Sequence, residues 1–117
     1  MIIGIGNDVA ELDRFKEHVL QNDGFARKVL TPAELAVYET LEETGQVRFL
    51  AGRFSVKESF AKALGTGIGK GVAFQDIQTI NNQQGKPITS ARIFHGRILT
   101  TITHSRTEAY TIVLLED

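Results

Sequence analysis

The chain has 117 residues, of which 42% are hydrophobic, and its 13 Lys+Arg against 14 Asp+Glu leave a net charge of −1. That length suits one domain of residues 1–117 with one compact core, and the balance of charge argues against a phosphate-backbone binder of nucleic acid, which carries a basic excess. Cysteine is absent, which removes disulfides, thiolate catalysis and cysteine-ligated zinc, and no apolar run approaches the roughly 18 residues of a membrane span.

Along the chain, Ile2 to Val9 reads as a short strand, with Ile3, Ile5 and Val9 interleaved with glycines. Glu11 to Leu20 reads as a helix, because Leu12, Phe15 and Val19 recur at spacings of three and four. Asn22-Asp23-Gly24 marks a turn, and Phe25 to Leu30 is a short apolar stretch. Thr31-Pro32 opens a second helix: Thr31 suits the cap, Pro32 the first helical position, and Glu34 completes a capping box. That helix loses its pattern at Thr44-Gly45. A third, from Val47 to Leu64, carries a broad apolar stripe. Gly65, Gly67, Gly69 and Gly71 then alternate in a loop that no regular element tolerates. Strands are expected at Phe74 to Ile80, Ile88 to Phe94, Ile98 to His104 and Ala109 to Leu115. Helices early and antiparallel strands late make the fold class α+β, with helices packed on an antiparallel sheet. No basic n-region or apolar signal segment opens the chain, which points to a soluble, cytoplasmic protein.

Three segments could carry chemistry. Gly4-Ile5-Gly6-Asn7-Asp8 invites a dinucleotide reading, but Val9 stands at the third glycine position and the fingerprint fails. Asp8 either caps the following helix or offers a carboxylate to a hard cation. In the second segment Glu58 and Lys62 form an i, i+4 pair, Ser55 and Glu58 fit a capping box, and Arg53, Lys57 and Lys62 place cations just ahead of the glycine loop. The backbone N–H groups of that loop could cradle an anion, although no Gly-Lys-[Ser/Thr] follows as a Walker loop requires. Third, Thr103-His104-Ser105 closes a strand, where a histidine is either structural or functional.

Taken in order, Gly4-Ile5-Gly6 with Asp8 and Glu11, then Phe49-Leu50-Ala51-Gly52-Arg53-Phe54 running through Lys57-Glu58 to Gly69, and finally Ile102-Thr103-His104-Ser105 resemble the holo-acyl-carrier-protein synthase family of 4′-phosphopantetheinyl transferases. The resemblance runs from Ile3 to about Leu115. It implies the family's α+β fold and Mg²⁺-dependent transfer of 4′-phosphopantetheine from coenzyme A to a serine of apo acyl carrier protein. Release of 3′,5′-ADP, a place in fatty acid biosynthesis and a homotrimer with sites between subunits are implied as well.

By the same resemblance, Asp8 and Glu58 would ligate Mg²⁺ and Lys62 would meet the pyrophosphate. Arg53 and His104 would lie near the 3′-phosphate. Gly65, Thr66, Gly67 and Gly69 would line the coenzyme A cleft, with Lys86 and Pro87 supplied by a neighbouring chain. On chemical grounds rather than by the resemblance, a water on the metal with Asp8 nearby is the choice for the group that takes the serine proton. Acyl carrier proteins are acidic, and Arg14 matches a docking position in the family. Arg27 and Lys28 are further docking candidates on charge alone, while Gln21 and Gly24 stand where relatives carry basic residues. The alternative is a module that binds coenzyme A or a nucleotide without turnover.

Overall fold

The structure is a computed structural model describing residues 1–117. Its elements are β1 (Ile2–Glu11), α1 (Leu12–Gln21), α2 (Gly24–Val29), α3 (Pro32–Tyr38), α4 (Glu43–Leu64), a 3-10 turn (Phe74–Asp76), β2 (Ile77–Asn81), β3 (Pro87–Ala91), β4 (Arg97–His104) and β5 (Glu108–Glu116). The expected α+β class is the observed one. β1, β5 and β4 form an antiparallel sheet in that order, and β2 and β3 form a separate hairpin. Hydroxyls of Thr79, Thr89 and Thr100, in contacts of 2.8 Å, tie that hairpin to β4. No helix is long and apolar enough to cross a membrane.

α4 is the axis of the molecule. It is 22 residues long, roughly 33 Å at 1.5 Å per residue, and is covered on several sides. Its first half packs with Phe15, Val29 and Leu30 in one core, and its second half with Val72, Ile77, Val113 and Leu115 in another. Against β1 the fit is close. A Cβ on Gly4 would overlap the Ala63 carbonyl, and one on Gly6 the Ser59 carbonyl. Ser55 meets Asp8 by a hydrogen bond. Helix positions 63, 59 and 55 therefore descend beside strand positions 4, 6 and 8. Four helical residues rise about 6 Å and two strand residues about 6.6 Å, so the two repeats stay in step. The glycines of Gly4-Ile5-Gly6 are thus packing glycines inside a strand, and not a phosphate turn.

Several local expectations are corrected. Asp8 does not cap α1; it lies within β1, opposite Thr111, and the residue at the cap is Glu11, which makes no side-chain cap bond. Phe25 to Leu30 is mostly helical, with Gly24 N–H held by Asn22 Oδ1 at 2.8 Å. α4 begins at Glu43, ahead of the expected Val47, because Thr44-Gly45 falls in a first turn that Gln46 anchors to the Tyr38 carbonyl. The strand expected from Phe74 starts at Ile77, since Asp76 accepts the Ala73 N–H and closes a turn. The next strand ends at Ala91. The Thr31–Glu34 capping box forms as expected, at 3.3 and 2.9 Å.

Candidate active site

The inner face of β1 and the solvent-facing strip of α4 bring Asp8, Glu58 and Lys62 together. Lys62 Nζ lies 3.3 Å from Asp8 Oδ1 and donates to the Asn7 carbonyl at 3.1 Å. The expected Glu58–Lys62 ion pair is not formed, because the ammonium turns across the seam to the strand. Ser55 Oγ donates to Asp8 Oδ2 at 2.9 Å. This overturns the reading of Ser55 as a helix cap, for it sits inside α4 and is fully buried. A cleft of about 450 Å³ opens beside Asp8 and Lys62, with Val9, Tyr110 and Ile112 on its walls.

Burial pushes the Glu58 carboxyl above its ordinary range and the charge of Asp8 pushes it further, while Lys62 and Arg14 oppose the shift. Asp8 meets the ammonium while Glu58 lies near enough to feel both charges, and a divalent cation would relieve the repulsion between the two carboxylates. No cluster of three or more His, Cys, Asp or Glu is present. Two oxygen donors are what a Mg²⁺ ion uses when water and phosphate complete its shell. The donor set fits Mg²⁺. Arg14 stands at the edge of this cluster, its guanidinium 5.5 Å from the Phe54 ring centre.

Arg53 and His104 form a second group nearer the start of α4. Arg53 is nearly buried and donates to the Thr79 carbonyl and Asn81 Oδ1, each at 3.1 Å, with Phe49 4.3 Å from its guanidinium. His104 Nε2 lies 3.2 Å from the Arg48 carbonyl, and Gly52 leaves room for the ring. A carbonyl only accepts, so Nε2 carries a proton and donates. Burial, chiefly, holds the imidazole below its ordinary value, and the charges of Arg48 and Arg53 add to this. Arg48, unremarked in the sequence, therefore belongs to this cationic group.

Lys57 does not join the anion-facing cations. It is wholly buried and donates to Glu34 and to the Val29 carbonyl at 2.7 Å and to the Phe74 carbonyl at 3.0 Å. The glycine loop follows Gly65, which caps α4 in the left-handed region; Gly67, Gly69 and Gly71 also have positive φ. Thr66 is tethered back to the Ala61 carbonyl. Lys86 and Pro87 lie at the β2–β3 turn, where Asn82 Oδ1 accepts the Lys86 N–H. That hairpin packs on β4, α3 and α4. Arg27 is held by Asp23 at 2.7 Å and Glu39 at 3.8 Å, while Lys28 is exposed and unpaired. The outward face of β1 and β5 exposes Ile5, Val9, Tyr110 and Ile112.

Residues 4–114 match the sequence model of the 4′-phosphopantetheinyl transferase superfamily. The chain belongs to this superfamily. Among curated relatives of similar sequence, a holo-[acyl-carrier-protein] synthase of Lacticaseibacillus casei is 50% identical over 116 residues, covering 99% of this chain and 93% of that protein. Its counterpart in Lactobacillus delbrueckii subsp. bulgaricus is 47% identical over 117 residues, covering 100% and 85%. Among solved structures, a holo-(acyl-carrier-protein) synthase from Bacillus anthracis in complex with CoA (3′,5′-ADP) superposes with a TM-score of 0.93 at 40% identity, over 100% of this chain and 98% of that one. The fold is that of the superfamily, as the motifs implied.

Proposed function

We propose that this transferase moves 4′-phosphopantetheine from coenzyme A to a serine of apo acyl carrier protein, with Mg²⁺, releasing 3′,5′-ADP. The observation that carries the reading is the convergence of Asp8, Glu58 and Lys62 at the β1–α4 seam, in a chain whose relatives are holo-acyl-carrier-protein synthases.

Asp8 and Glu58 hold the metal. When bound, Mg²⁺ supplies Lewis-acid polarisation of the phosphoryl group and charge neutralisation. Lys62 orients the pyrophosphate and offsets charge that builds on the leaving phosphate. The carrier's serine oxygen bonds to the phosphorus bearing the pantetheine arm as the bond to 3′,5′-ADP breaks. A water beside Asp8 takes the serine proton. Arg53 and His104 hold the 3′-phosphate end, and the loop Gly65 to Gly69 walls the cleft with backbone that carries no side chain at its glycines.

We further propose a homotrimer whose sites lie between subunits. Support comes from the exposed apolar face of β1 and β5, which carries Ile5, Val9 and Ile112. The enzyme works in the cytoplasm, in fatty acid biosynthesis. The deciding experiment incubates it with apo acyl carrier protein, coenzyme A and Mg²⁺ and weighs the carrier intact. Gain of the phosphopantetheine arm is expected; coenzyme A binding without that gain would favour the non-catalytic module.

A further inference from the structure

Asp8 and Thr111 are directly paired across β1 and β5, and both side chains turn inward to α4. Ser55 and Ser59 lie one helical turn apart beneath them. Four polar groups therefore meet at a helix–sheet seam where Ser55, Ser59 and Thr111 are all buried. Ser55 Oγ lies 2.9 Å from Asp8 Oδ2 and 2.7 Å from Thr111 Oγ1. Ser59 Oγ lies 2.7 Å from Thr111 Oγ1 and 3.3 Å from the Thr111 carbonyl.

Proton counting orders this cluster. A carboxylate only accepts, and each hydroxyl has one hydrogen to give. Ser55 gives its hydrogen to Asp8 and so accepts from Thr111; Thr111, its hydrogen spent, accepts from Ser59, whose one hydrogen is shared between Thr111 Oγ1 and, at the longer distance, the Thr111 carbonyl. The bonds point one way, Ser59 to Thr111 to Ser55 to Asp8, and bonds in such a series polarise one another. Small apolar side chains would fill the same seam, so packing alone gives no reason for three hydroxyls there. What they add is a fixed donor on one oxygen of the carboxylate.

We infer that Ser55, backed by Thr111 and Ser59, is a positioning residue that locks the Asp8 carboxylate and leaves Oδ1 as the oxygen presented to the site. Oδ1 is the atom beside Lys62 at the cleft. The inference rests on the proposed metal role of Asp8 for its consequence, which is a lower Mg²⁺ requirement, but not for its geometry.

The test therefore has a metal-free arm. Three-bond couplings from Asp8 Cγ to its backbone nitrogen and carbonyl carbon report whether χ1 is fixed. Without Mg²⁺, the wild-type protein should show one rotamer, and Ser55→Ala should show averaged couplings. Thr111→Val removes a hydroxyl at nearly constant volume and should loosen Asp8 part-way; Thr111→Ser, which keeps the hydroxyl, should restore the single rotamer. In the second arm, Mg²⁺ titrations of Ser55→Ala should give half-activation at several-fold higher Mg²⁺, a larger change than that in kcat. Single-rotamer couplings in both Ser55→Ala and Thr111→Val would overturn the inference, whatever the activity. Calorimetry showing no Mg²⁺ binding by the wild-type protein would overturn the metal reading instead. The coupling data, taken without metal, keep the two failures apart.

Discussion

Lys62 reaches Asp8 at 3.3 Å rather than Glu58, which precedes it by one turn on its own helix. The consequence is an asymmetric pair of carboxylates. Asp8 has a cation and a buried hydroxyl as partners, whereas Glu58 has its charge disfavoured by burial and by Asp8. Glu58 is the group with most to gain from a metal. Glu58→Gln and Asp8→Asn should each lower transfer by about 10²–10³-fold or more, the range seen when one electrostatic group at a reacting centre is lost. Circular dichroism should show the fold unchanged. Near-normal turnover in Glu58→Gln would remove it from the site.

The raised Glu58 carboxyl also makes stability depend on pH. Below the range in which an unfolded glutamate titrates, both states hold the proton and nothing is lost. As pH rises through the higher folded value, the carboxylate must ionise beside Asp8, and stability falls. Metal-free wild-type protein should therefore melt below Glu58→Gln at neutral pH, with the difference vanishing in mild acid. Saturating Mg²⁺ should reverse the order by raising the melting temperature of the wild-type protein alone. Parallel melting curves for the two proteins across pH would contradict this.

Lys57 and Glu34 are both without solvent exposure and meet at 2.7 Å. Glu34 also accepts from the Thr31 and Thr79 N–H groups, so the pair joins α3, α4 and β2. Burial holds the Lys57 ammonium below its ordinary value, with Glu34 opposing. Lys57→Met would strand the carboxylate at a cost of about 3–5 kcal/mol. That is a large share of the ~5–15 kcal/mol that holds a typical domain together. Denaturant titration should show this loss, with a smaller one in Lys57→Met/Glu34→Leu.

These residues show what a sequence exposes and what it hides. The Thr31–Glu34 box, the end of α4 and the glycine loop were legible because each follows from local chemistry: a cap, a periodicity that stops, a run of positive-φ residues. Arg53, Lys57 and Lys62 read alike as cations before that loop. Which of them is buried depends on the face of α4 each occupies, and α4 is covered on several sides, so no apolar stripe marks the answer. Asp8 looked like the end of a strand because glycine breaks the β pattern. The glycines are there because α4 lies on them, and α4 is some fifty residues away in the chain. Thr111 gave no signal and Ser55 a misleading one, a capping box with Glu58, because the carboxylate Ser55 meets is that of Asp8, brought near only when α4 packs on the sheet.

His104 donates Nε2–H to the Arg48 carbonyl, and the neutral ring then offers only a lone pair at Nδ1. A phosphate needs a donor there, so contact with the 3′-phosphate requires the protonated ring. Since the free site holds the ring below its ordinary value, coenzyme A binding should take up a proton. Affinity should weaken as pH rises from about 5 to 8, the window in which histidine titrates. Dephospho-coenzyme A, lacking that phosphate, should show no such trend. Calorimetry in buffers of differing ionisation heat measures the uptake directly. A value of zero would move His104 away from the phosphate.

Docking of an acidic carrier must rest on local cations, because the chain's net charge is −1. The three candidates are not equivalent. Arg27 is already held by Asp23 and Glu39, so much of its charge is answered within the chain. Lys28 is exposed and unpaired, in the last turn of α2. Arg14 is exposed and braced over Phe15 and Phe54 at 5.6 and 5.5 Å. It is also close enough to Glu58 to lower its carboxyl. A carrier serine delivered to the proposed metal site, Asp8 and Glu58, would therefore pass Arg14. Arg14→Glu should raise the KM for the carrier roughly tenfold, about 1.4 kcal/mol of lost attraction. It should also flatten the salt dependence and leave the KM for coenzyme A nearly unchanged. Lys28→Glu should act in the same direction but less, and Arg27→Glu least, with its main effect on the stability of α2. Steady-state kinetics with each substrate varied in turn would rank the three. An unaltered carrier KM in Arg14→Glu would place the docking surface on another face.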